Sequence, residues 1–142
     1  MTLKNADLLD FANSFADESR KILRKNYFKK FNIEKKKDGS LVTDVDKEIE
    51  ILFRKKLKKK YRDHGVIGEE FESEKVGEEL VWVIDPLDGT HSFIAGKPMF
   101  GTLICCLRNK VPIIGIIDIP ILNQRWYGGN GLGVKLNGKN CK

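Results

Sequence analysis

The amino-acid sequence predicts an α+β fold, with two N-terminal helices packed on a largely antiparallel sheet. Three observations predict it. Apolar residues recur at helical spacing in two early segments, they switch to short strand-length runs after Gly65, and turn-forming residues separate those runs.

The first helix is expected over residues 4–25, where Leu8, Phe11, Ala12, Phe15, Ala16, Ser19, Ile22 and Leu23 fall at i, i+3 and i+4 steps. Lys37-Asp38-Gly39-Ser40 breaks that pattern and reads as a turn. A second helix is expected over residues 45–61, with Thr43 or Asp44 as its N-cap and Val45, Ile49, Leu52, Phe53 and Leu57 on one face. His64-Gly65 ends it, and Val66-Ile67-Gly68 is a short apolar step. Residues 72–79 are acidic and read as an exposed loop, whereas residues 81–84 form the continuous apolar run of a buried strand. Residues 101–107, 112–118 and 123–128 are three further strands, with Asn109-Lys110 in the turn between the first two. Gly128 to Gly131 turns into a last short strand, Leu132 to Leu136. Asn137-Gly138 then announces a hairpin whose partner strand starts near Lys139 or Asn140, just before the sequence stops at Lys142. A sheet edge there is open to pairing.

The 142 residues suit one domain, with 41% hydrophobic and 32% charged residues as in ordinary globular proteins. No apolar run approaches the ~20 residues of a membrane span. The N-terminal MTLKNADLLDFANSF lacks the basic flank and apolar block of a signal peptide. The expectation is a cytoplasmic protein with no membrane partner. The net charge of +6 comes largely from Lys35-Lys36-Lys37 and from the run between Lys55 and Lys60, which falls on the solvated face of the second helix. With no aromatic residues interleaved for base stacking, nucleic acid is not an expected partner. Cys105 and Cys106 are adjacent in a strand candidate, so they point to opposite faces. With Cys141, they read as buried, reduced thiols.

The chemistry concentrates in Asp85-Pro86-Leu87-Asp88-Gly89-Thr90, directly after the apolar run. Two carboxylates three residues apart at a strand end can converge on one hard cation, which takes several oxygen ligands. Pro86 fixes the backbone between them, and Gly89 lets the main chain approach a ligand. A helix turn starting at Thr90 would point N–H groups at an anion. Asp, Pro and Gly are also ordinary turn residues, yet chance would match D-P-x-D-G-T in a chain of this length only about once in ten thousand. Gly68-Glu69-Glu70 lies upstream, and Val42-Thr43-Asp44-Val45-Asp46 opens the second helix. Each is unremarkable alone: the first reads as surface glutamates, the second as a cap.

Together, and in this order, these elements resemble the inositol monophosphatase superfamily. Its pattern is a lysine, a V-T-x-x-D stretch, G-E-E, and W-V-I-D-P-x-D-G-T-x-x-F. It is matched here by Lys36, Val42 to Asp46, Gly68 to Glu70, and Trp82 to Phe93. The resemblance implies the N-terminal half of that family's α/β layered sandwich, and a Mg²⁺-dependent phosphatase acting on a small phosphorylated substrate. It implies that Glu69 and Asp85 bind a first Mg²⁺ with the Leu87 carbonyl, and that Asp85 and Asp88 face a second. Asp46 and the Thr90 hydroxyl would activate the attacking water. Gly89 and Thr90 N–H groups would hold the phosphate. Glu70 would join the catalytic set beside a further, weaker metal position. Lys36 is the nearest match to the substrate-side lysine, with Lys35 and Lys37 as alternatives. His91 lies beside the motif, and His64 reads as a helix-end residue.

Ser92 to Ile94, Gly96 to Pro98, Gly101 to Ile104 and Arg125-Trp126 resemble the histidinol-phosphatase branch, which implies L-histidinol phosphate and a place in histidine biosynthesis. Inositol 1-phosphate is the next reading and a 3′-phosphoadenosine-type substrate the third. Arg125-Trp126 also reads as plain strand packing. The family's second half carries a W-D motif that completes the second metal site, and here Trp82 precedes Val83 and Trp126 precedes Tyr127. The expectation is therefore a chain whose C-terminal domain is absent: a truncation, one half of a split enzyme, or a degenerate Mg²⁺- and phosphate-binding module. A homodimer and a missing C-terminal half are the partners this leaves open.

Overall fold

Residues 2–141 are described by a computed structural model. In chain order they form α1 (Asn5–Asn26), β1 (Ile33–Lys35), β2 (Leu41–Thr43), α2 (Asp44–Lys60), β3 (Gly65–Gly68), β4 (Leu80–Asp88), α3 (Thr90–Ile94), β5 (Gly101–Arg108), β6 (Val111–Ile119), β7 (Gln124–Gly129), β8 (Gly133–Leu136) and β9 (Lys139–Asn140). The strands β3 to β9 lie side by side in sequence order in one sheet. Every neighbouring pair is antiparallel except β3–β4. The α+β layout expected from the sequence is the one observed.

The helices form because their apolar residues line up on one side and bury together. Leu8, Phe11, Ala12, Phe15, Ala16 and Leu23 of α1 pack with Val45, Ile49, Phe53 and Leu57 of α2 against Trp82, Ile84, Ile104, Ile114 and Ile116 of the sheet. Phe15 meets Phe53 edge-on at 4.9 Å, and Phe11 meets Trp82 at 5.1 Å. Such pairs add about 0.5–1.5 kcal/mol each beyond the area they bury. The lysines between Lys55 and Lys60 are largely exposed, as their phase on the helix requires. No helix among the described residues is long and apolar enough to cross a membrane.

Of the three thiols expected to be buried, Cys106 is; Cys105 is half-buried at an alternate strand position and Cys141 is exposed near the sheet edge. Three other local features differ from the sequence reading. The Lys37–Ser40 turn closes a small hairpin, β1–β2, whose three-residue strands are too short to show a period. Val66 to Gly68 belongs to a true strand, parallel to β4. A parallel neighbour needs a crossover connection, and residues 69–79 supply it, pinned by a bridge between Val66 and Glu74. The buried strand expected at 81–84 continues through the aspartate motif to Asp88. On the sheet face away from the helices, Ile117, Trp126 and Val134 are exposed.

Candidate active site

The parallel pairing of β3 with β4 sets the site. Gly68 is in register with Ile84, so Glu69 and Asp85 follow level with each other at the same end of two adjacent strands. A side chain on Gly68 would run into the Glu50 carboxylate: a Cβ there would lie 2.4 Å from it. That carboxylate is fully buried and accepts hydrogen bonds from the Glu70 N–H at 2.8 Å and the Phe71 N–H at 3.0 Å. Arg54, one turn along α2, neutralises it with an Nε contact of 3.0 Å. Glu50 thus fixes the turn that carries Glu69 and Glu70. Sequence reasoning did not single it out, although a glutamate on the apolar stripe of α2 with an arginine at i+4 signals a buried, paired charge.

Within the aspartate motif the β4–β5 ladder bulges. Asp85 pairs with Leu103 and Asp88 with Gly101, three steps on one strand against two on the other. Residues three apart on a regular strand point to opposite faces; one extra residue restores the phase and turns both carboxylates to the same side. Gly89 follows with φ of 79°, a left-handed conformation, and a Cβ there would stand 2.8 Å from the Met99 carbonyl oxygen. Glycine fits both demands. α3 starts at Thr90, which donates its hydroxyl to the Leu87 carbonyl at 3.0 Å and lies 3.3 Å from Asp46 Oδ1.

Asp46 reaches this point from a capping box. Thr43 is the N-cap of α2; its hydroxyl faces the Val45 and Asp46 N–H groups, and Asp46 Oδ2 accepts from the Thr43 N–H at 2.9 Å. The second oxygen of Asp46 is thereby left to face Thr90. Lys36, beside the Lys37–Ser40 turn, pairs with Glu70 at 2.8 Å.

The electrostatics show how tightly the acids crowd. Burial, then the charges of Glu69 and Asp88, push the Asp85 carboxyl up to about 7. Burial also raises Asp46, against the hydrogen bonds from Thr43 and Thr90. Glu70 is raised by burial despite its lysine, while Lys36, which burial alone would lower, is raised by Glu70 and Glu69. The carboxylates crowd without closing: among the described residues, no three Asp, Glu, His or Cys side chains stand as a ready-made ligand set. Beside Glu69 and Asp85 a depression of about 500 Å³ runs over Val83, Leu103 and Cys105.

The nine sequence candidates thus form one connected neighbourhood: Asp46, Thr90 and Leu87 by hydrogen bonds, Lys36 with Glu70, Glu69 with Asp85 and Asp88 by charge, and Gly89 between the motif and α3. Arg125 lies outside it, held by Asp118 at 2.9 Å and Asp17 at 2.7 Å, and Trp126 sits on the sheet's far face. His91 is exposed, and His64 accepts a hydrogen bond from the Trp82 indole at 3.0 Å.

Residues 4–142 match the model of the inositol monophosphatase family. The chain belongs to that family. It is 44% identical to the Arabidopsis thaliana bifunctional phosphatase IMPL2, chloroplastic, over 96% of this chain and 41% of that protein. It is 34% identical to the histidinol-phosphatase of Mycobacterium tuberculosis, over 89% of this chain and 49% of that protein. Its fold superposes on the inositol monophosphatase of Thermotoga maritima with a TM-score of 0.90 and 29% identity, over 96% of this chain and 53% of the other. The chain thus spans about half the length of the family members it matches. Its donor set fits the divalent cation that the family resemblance implies: carboxylate and carbonyl oxygens suit Mg²⁺, and a cation between Glu69, Asp85 and Asp88 would relieve the repulsion that raises Asp85.

Proposed function

We propose that this chain supplies the metal- and phosphate-binding half of a Mg²⁺-dependent phosphomonoesterase. The observation that carries the reading is the contact between Thr90 and Asp46 beside the Glu69–Asp85–Asp88 carboxylates. Glu69, Asp85, Asp88 and the Leu87 carbonyl would hold Mg²⁺, which when bound lowers the pKa of water and offsets charge on the phosphate. Asp46 and Thr90 handle the nucleophile. The Thr90 proton is committed to Asp46 or Leu87, so its lone pairs are free to accept from a water. Burial makes Asp46 a stronger base for that water's proton. The N–H groups of Gly89 and Thr90 would orient the phosphate oxygens, and the Lys36–Glu70 pair would border the same site.

The favoured substrate is L-histidinol phosphate, supported by the stretch from Ser92 to Ile104 and by relatives named histidinol-phosphatase. Inositol 1-phosphate is the second reading, since other relatives carry the name inositol monophosphatase. Arg125 adds nothing to the choice, being occupied by Asp118 and Asp17.

The test is phosphate release from both esters by the purified chain, alone and with the second half of the Arabidopsis relative supplied in trans. The expected result is little or no turnover alone and turnover on complementation, fastest on histidinol phosphate and lost in Asp88→Ala. Steady turnover by the chain alone would overturn the reading of it as half of a catalytic unit. Phosphate binding without turnover in the complemented sample would make it a non-catalytic module.

A further inference from the structure

The bulge that brings Asp85 and Asp88 to one side leaves Pro86 and Leu87 opposite a single position on β5, and that position is Thr102. Leu103 and Gly101, on either side of it, share the face of the two aspartates. Thr102 points the other way, into the core, and is fully buried. Its hydroxyl donates to the Pro86 carbonyl at 2.9 Å. From α1, the buried hydroxyl of Ser19 meets Thr102 Oγ1 in turn. Because the Thr102 proton is spent on Pro86, Ser19 is the donor in that contact.

A bulge interrupts the ladder and leaves backbone groups without their regular partners, and a buried carbonyl without a donor is costly. Valine has the same shape as threonine and would fill this place in an apolar core. The hydroxyl, and a second hydroxyl behind it, have a use only if the Pro86 carbonyl must stay where the bulge puts it.

We propose that Thr102 is a positioning residue for the cation site, its hydroxyl holding the bulge that aligns Asp85 with Asp88 and Ser19 orienting that hydroxyl. Thr102 touches neither substrate nor ion; it acts through the Pro86 carbonyl. The proposal rests on the reading of Asp85, Leu87 and Asp88 as cation ligands.

Mn²⁺ binding to the 142-residue chain, followed by the loss of the free-ion electron paramagnetic resonance signal, tests it without any turnover. Thr102→Val is expected to weaken Mn²⁺ binding about 10- to 100-fold, as loss of a ligand's supporting partner does. Thr102→Ser, which restores the hydroxyl, is expected to recover it. Ser19→Ala, which leaves the Pro86 donor in place but removes the group that orients it, is expected to weaken Mn²⁺ binding measurably, by less than Thr102→Val does. Thr102→Ala removes the same donor without added bulk and carries the same expectation as Thr102→Val. Wild-type affinity in folded Thr102→Val or Thr102→Ala would overturn the proposal, and so would failure of both to fold, which would make the hydroxyl purely structural. Absence of Mn²⁺ binding in the wild-type chain would remove the cation-site reading itself, and the positioning role with it.

Discussion

Glu69 stands level with Asp85 across the one parallel strand pair of the sheet, because Gly68 is in register with Ile84. Burial, then the charges of Glu69 beside it and of Asp88, push the Asp85 carboxyl up to about 7. The unfolded chain ionises Asp85 near its ordinary ~3.9, so between there and about 7 the unfolded state binds fewer protons. The Asp85 contribution therefore makes the metal-free chain less stable as pH rises through that window. A cation requires the ionised form, so affinity should climb as pH rises and level off above about 7, approaching tenfold per pH unit on the acid side. Calorimetric Mg²⁺ titrations from acid to mildly alkaline pH check this; an affinity that stays flat across that range would contradict it.

Glu50 ties α2 to the turn that carries Glu69 and Glu70. Its carboxylate is fully buried, neutralised by Arg54 and engaged by two backbone N–H groups of the turn bearing Glu69 and Glu70. Removing one partner of a buried ion pair costs about 3–5 kcal/mol. Glu50→Ala should therefore lose on the order of that stability in urea, far more than Glu34→Ala, since Glu34 is itself exposed and its partner Lys47 only half-buried. Equal midpoints for the two variants would contradict the role assigned to Glu50.

The pattern of what could be read in advance follows from this geometry. Helices α1 and α2 were legible because one face of each is apolar at regular spacing, and the Thr43 cap because it sits just before that spacing begins. The aspartate motif was legible through its resemblance, and each of its neighbours was too ordinary to stand alone. What stayed hidden depends on pairing between distant segments. The β1–β2 hairpin is only three residues wide, the parallel register of β3 with β4 follows from a crossover, and the bulge at Asp85 to Asp88 exists only against β5. Arg54 at i+4 marks Glu50 as a paired charge, but its hold on the site depends on residues 70 and 71, twenty and twenty-one positions away.

His64 supplies a pH dependence of the opposite sense. It accepts the Trp82 indole N–H on Nδ1, stacks on Tyr61 at 4.5 Å, and is held below its usual value by burial, against Asp63 and Glu79. Accepting on Nδ1 requires the neutral ring. As pH falls through about 6.5, the unfolded chain gains a proton that the folded chain resists, so stability drops. His64→Asn keeps a hydrogen-bond acceptor without titrating. Urea midpoints measured from pH 8 down to 5.5 should fall less in His64→Asn than in the wild type; parallel curves would contradict this.

Anomalous scattering from crystals of the chain soaked in Mn²⁺ reads the carboxylate arrangement most directly. The predicted result is a peak within about 2.5 Å of oxygens from Glu69, Asp85 and Leu87, with Asp88 turned to the same side. Mn²⁺ bound elsewhere while these oxygens remain bare at saturating concentration would contradict it.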